Sequence, residues 1–127
     1  MNKGVTLIEL ILFIVVIGIA LPPLLILSSQ AVYNSLVEEI RFTSVSLANE
    51  VIEGIKGKSF KNIVSEGPIY FSENFSKYSY TITVSYVNPD LTETAIPTNY
   101  KRITVTISND IIPEIKTSIT TIITNLL

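Results

Sequence analysis

Three stretches of this chain carry three different hydrophobic periods. From Leu10 to Leu27 there is no charged residue, and most positions are Leu, Ile, Val or Phe. Those 18 residues, at about 1.5 Å each, span about 27 Å, close to a bilayer's hydrocarbon core. Backbone groups in lipid must bond within their own segment, so a transmembrane helix is predicted over residues 5–27. Pro22 lacks the amide that would bond to the Gly18 carbonyl, and Pro23 lacks the one for Ile19. Gly18, Pro22 and Pro23 therefore mark an expected kink or local unwinding. Over residues 28–56 the period becomes helical and amphipathic. Val32, Leu36, Ile40, Leu47, Val51 and Ile55 share one face, while Glu38, Glu39, Arg41, Asn49, Glu50 and Glu53 lie largely elsewhere. Gly54 and Gly57 bracket Lys56, a pattern that ends a helix near Lys56.

Beyond residue 57 the period is two. Tyr78, Tyr80, Ile82, Val84 and Tyr86 alternate with Ser and Thr, and Ile103, Val105 and Ile107 do the same. Ile115, Ile119 and Ile123 repeat the alternation with Thr117 and Thr121 between them. Turn signals stand at Asn88-Pro89-Asp90 and Asn109-Asp110. Residues 56–74 read as a loop with a short strand at Ile69–Phe71. About three strands, each with one apolar face, suffice for an antiparallel sheet packed on the helix. The predicted class is α+β, with a small head at residues 57–127.

The 127 residues leave room for one modest domain plus an anchor. The net charge is −2 with the basic residues scattered, which gives no nucleic-acid footprint. Cysteine is absent, so neither a disulfide framework nor a cysteine metal site is available. Histidine is absent too, which removes the commonest general base and the commonest metal ligand. No serine or threonine has an accompanying base and no glycine-rich phosphate loop occurs, so neither catalysis nor a cofactor is expected.

Glu9 changes the picture most. A carboxylate at the edge of a membrane-length run is costly unless something pairs with it. Only Lys3 is near, and the next charge downstream is Glu38. Glu9 thus requires a partner that the sequence does not itself put in place. A secretory signal peptide cut after Gly18-Ile19-Ala20 would bury Glu9 in its apolar region and leave Leu21–Leu27 as a stub. A plain anchor gives Glu9 no reason to be there.

The segment Lys3-Gly4-Val5-Thr6-Leu7-Ile8-Glu9-Leu10 resembles the leader and cleavage site of type IV prepilins and the related pseudopilins. It departs from the common form at Val5, where phenylalanine or methionine is usual. The resemblance implies that residues 1–4 are a leader. A membrane aspartyl peptidase, the prepilin peptidase and N-methyltransferase, would cut after Gly4 and methylate the new amine of Val5. In the family a glutamate is the fifth residue after the cut, where Glu9 stands. Loss of Lys3 leaves 8 basic residues (9 − 1) against 11 acidic ones. The new amine of one subunit could then neutralise Glu9 of its neighbour. Two such charges at about 4 Å attract by about 4 kcal/mol at an effective dielectric near 20. Such a pair acts as a registry device more than as a stabiliser.

The resemblance further implies a pilin-like fold and a structural role as a minor pilin or type II secretion minor pseudopilin. Its implied partners are other pilin or pseudopilin subunits and the inner (cytoplasmic) membrane, with the N-terminus cytoplasmic and the head outside. In that family a glycine-to-proline stretch like Gly18–Pro23 is thought to melt on assembly. Residues 47–55 resemble the end of the long helix in smaller minor pilins. The small head favours a minor subunit, and Glu9 argues against the tip-capping pseudopilin type. The alternative from another class is an unprocessed, single-pass anchored binding or sensor domain.

Other clusters read as structure. Glu38 and Glu39 are adjacent on a helix and point in different directions. Lys56, Lys58 and Lys61, with Phe60 the single aromatic among them, fall short of the alternating aromatics of a single-strand DNA platform such as a competence pilus would use. Tyr78, Tyr80 and Tyr86 suit the half-buried face of a sheet. In pseudopilins and minor pilins, loops such as the acidic Val87–Asn99 carry subunit contacts, and in major pseudopilins sometimes calcium. Asp90 and Glu93 fall short of calcium's oxygen ligands, so no metal is assigned.

Overall fold

A computed structural model describes residues 4 and 6–126. Residues 1–3 of the expected leader, Val5 of the expected cut site and Leu127 lie outside the described residues. Five strands accompany one long helix: α1 (Leu7–Lys56), β1 (Glu66–Tyr70), β2 (Tyr78–Val87), β3 (Glu93–Thr94), β4 (Tyr100–Asn109) and β5 (Thr117–Thr124). The chain divides into two compact units, Met1–Glu38 and Glu39–Leu127.

The first unit is helical from Leu7 onward. Most of its described apolar side chains are exposed, with Ile17, Leu36 and Val37 half-buried, and α1 is long and apolar enough to cross a membrane. Helix continues through Pro22 and Pro23 without unwinding, although two backbone hydrogen bonds are lost there. A Cβ at Gly18 would meet no atom within 4 Å, so this glycine is not required by close packing. Val32, expected on the buried face, is exposed.

In the second unit, α1 continues to Lys56 and ends where the glycine bracket predicts. Ile40, Ser44, Leu47, Ala48, Ile52 and Ile55 are its buried residues, repeating at helical spacing. The sheet is antiparallel, in the order β1-β2-β4-β5, with β3 paired to β2. The β2–β4 register places Ile82 opposite Val105 and Val84 opposite Ile103, and β5 adds Ile119 opposite Val105. Ile82, Ile103, Val105 and Ile107 share one core with Leu47, Ala48, Ile52 and Ile55. Each fully buried aliphatic side chain there contributes about 1.5–3 kcal/mol. The opposite face is coated with hydroxyls: Thr104 meets Thr120 at 3.1 Å and Thr106 meets Ser118 at 3.0 Å.

Three long strands lie where alternation predicts, and two short ones add to them. β1 and β3 share one edge of β2: β1 pairs along Ser79–Ile82, and β3 pairs with Tyr86 and Val87. The short strand expected at Ile69–Phe71 overlaps the end of β1; alternation reveals neither the start of β1 at Glu66 nor β3, for a physical reason. β3 has two residues, and β1 is irregular between Glu66 and Ile69. Gly67 makes that irregularity possible: its φ is 107°, and a Cβ would sit 2.8 Å from the Tyr80 carbonyl oxygen. Ile115 falls before β5, its amide donating to the Ile112 carbonyl in a turn (3.1 Å).

Candidate functional site

Around Glu9 the structure forms a reciprocal cap. The Thr6 amide donates to Glu9 Oε2 (3.2 Å), and the Glu9 amide donates to Thr6 Oγ1 (3.2 Å). This is a capping box, with Thr6 before the first helical residue and Glu9 three positions on. It satisfies two amides that a helix start leaves without partners. Negative charge is also favoured at this end of a helix. The sequence therefore supplies part of what Glu9 requires, and the Thr-x-x-Glu spacing was the signal for it. No cation pairs with Glu9 among the described residues.

Gly4 is described and exposed, with no atom within 4 Å of a would-be Cβ, while Val5 lies outside the described residues. Gly18, Pro22 and Pro23 lie in the exposed helix of the first unit.

The lysine cluster divides in the head. Lys56 Nζ lies 3.3 Å from Glu53 Oε1 and Lys58 Nζ lies 3.6 Å from Glu66 Oε1, both at exposed or half-exposed positions. Lys61 instead lines a cavity. The tyrosine row is half-buried: Tyr80 packs on Phe71 with ring centroids 5.0 Å apart, and Tyr78 on Phe75 at 6.3 Å. In the Val87–Asn99 loop, the Thr92 hydroxyl (2.6 Å) and amide (3.1 Å) both donate to Asp90 Oδ1. Those two bonds hold the Asp90 carboxyl below its ordinary value. Leu91, at φ 69°, turns the chain here, and its carbonyl accepts from Arg102.

Two polar residues continue the apolar rows of β4, and pattern reading passes over both. Asn109 is buried at one end, where its Oδ1 accepts the amides of Ile111 (2.6 Å) and Ile112 (3.3 Å). Lys101 is buried at the other, with 4% of its surface exposed. Its Nζ donates to the carbonyls of Phe60 (2.7 Å) and Ile63 (2.9 Å). The same nitrogen lies 4.5 Å from the Phe60 ring centroid and 5.3 Å from that of Tyr86. Burial lowers the Lys101 pKa from its ordinary value. The only signal for this site in the sequence is its parity with Ile103, Val105 and Ile107.

Compared with family models, curated proteins and solved structures, the chain matches none.

Proposed function

We propose that the chain is a structural subunit of an envelope filament, a minor pilin or minor pseudopilin of the type IV prepilin-like class. On this reading residues 1–4 are removed by the prepilin peptidase, Val5 is N-methylated, and α1 anchors the protein in the bacterial inner membrane with the head outside. The filament is a type IV pilus or a type II secretion filament. Glu9 then receives the trimmed amine of an adjoining subunit, which sets the axial register. Gly18, Pro22 and Pro23 supply a stretch of weakened helix that can melt as the subunit leaves the bilayer.

The observation that carries this reading is the run Gly4 to Glu9 at the head of a helix with no charged residue from Leu10 to Leu27. The α+β head joined to that helix supports it. Among the described residues Glu9 has one amide donor and no cation, so none of them supplies the counter-charge that a carboxylate bound for lipid requires.

One observation favours the second reading, an unprocessed anchor carrying a binding or sensor domain. The capping box gives Glu9 a local structural duty that needs no neighbour. Replacing Gly4 separates the two in the native host. A Gly4→Leu protein should keep its full length, because the peptidase of this class accepts only a small residue before the cut. Full-length protein from both parent and variant supports the plain anchor, and a shortened variant refutes Gly4 as the cut site.

A further inference from the structure

Beside the Phe60–Asn62 turn lies a cavity of about 620 Å³, within the head unit and remote in sequence from the prepilin-like segment. That volume falls within the range of small-molecule sites, about 300–1,000 Å³. Phe60, Tyr86 and Pro97 give it apolar walls, and Lys61 and Lys101 are its charged groups. Among the described residues no Asp or Glu lines it. A second, smaller hollow shares Lys61, Tyr86 and Lys101, so both lysines border open space on two sides.

The chemistry is lopsided in one direction. Lys101 is a buried ammonium whose partners among the described residues are two carbonyls and two rings, with no carboxylate. An ammonium has three donors, and carbonyls occupy two of them. Burying a charge without a counter-charge is costly, and the downward shift of its pKa expresses that cost. The Thr98 hydroxyl on the wall is committed to the Val87 carbonyl (2.6 Å), which leaves the lysines as the groups able to select a ligand by charge. Ammonium groups accept a carboxylate or a phosphate alike, so the apolar walls of Phe60, Tyr86 and Pro97 are what favour an anion with an apolar body over inorganic phosphate.

We propose that this cavity binds a small organic carboxylate with an apolar body, its carboxylate held by Lys101 and Lys61 and its body against Phe60, Tyr86 and Pro97. The site goes beyond the filament reading and does not depend on it.

The test uses the full chain in detergent micelles, labelled with ¹⁵N and followed by amide shifts. Three probes are titrated: phenylacetate, phenylacetamide (the same body without charge) and inorganic phosphate (charge without the body). Phenylacetate should give saturable shifts at Phe60, Lys61, Tyr86 and Lys101, with a Kd in the millimolar range expected of so small a probe. Phenylacetamide should bind at least about tenfold more weakly, since it forgoes a charge-assisted contact. Lys101 also holds two backbone carbonyls, so replacing it tests folding as much as binding. Lys61→Gln avoids that and should weaken phenylacetate about threefold with the rest of the spectrum unchanged. Four outcomes overturn the proposal: no saturable shift, equal binding of phenylacetamide, equal binding of phosphate, or shifts confined to residues 10–27, which mean partition into the detergent.

Discussion

Ile14 in the first unit leaves 61% of its surface exposed, whereas Ile103 and Ile107 in the second leave none. The same residue type thus serves opposite ends in the two units. The head carries its own solvent for apolar groups, a core built from the last turns of α1 and the sheet. The first unit shows no such core among its described residues, and its helix is long and apolar enough to cross a membrane. A change in the head should therefore be read in folding. A change near the N-terminus should be read in location and association.

The largest expected effect tests that division directly. Ile107→Ala should lower the stability of the head by about 2–5 kcal/mol in denaturant titrations of the full chain. Ile14→Ala should move the same transition by no more than about 0.5 kcal/mol. Equal losses would contradict the separation of the two units. A smaller effect, read differently, is expected at Glu9. Glu9→Val should leave the head transition and membrane insertion unchanged while lowering recovery in sheared filaments by about tenfold, equivalent to about 1.4 kcal/mol of coupling. Recovery equal to the parent's would end the registry argument.

The smallest effect sharpens the head's side of the contrast. The bonds from Thr92 lower the Asp90 pKa in the folded state. Its contribution to stability is therefore present above the unfolded value, about 3.8, and is lost as pH falls through the lower folded one. A small advantage of the parent over Asp90→Asn should appear near neutral pH and disappear in acid. An advantage that grows in acid would reverse the sign and refute the assignment.

Legibility in the sequence follows the same boundary. The strands β2, β4 and β5 and the end of α1 at Lys56 are visible because a half-buried sheet and a capped helix each impose a period. Of the short strands, β3 imposes none, and β1 is legible only at Ile69 and Tyr70. Lys101 and Asn109 sit on the buried parity of β4, yet their residue types advertise exposure, and only the carbonyls of Phe60 and Ile63 and the amides of Ile111 and Ile112 explain them. Val32 shows the reverse error: helical periodicity continues past the point where the chain supplies anything to pack against. At the N-terminus the Thr-x-x-Glu spacing of Thr6 and Glu9 is the legible sign of their reciprocal hydrogen bonds.

The central claim concerns the first few residues, and mass decides it. Protein extracted from the native membrane, its intact mass measured without prior digestion, should lack Met1 to Gly4 and carry one added methyl group on Val5. A mass equal to the full chain, Met1 included, would contradict the account.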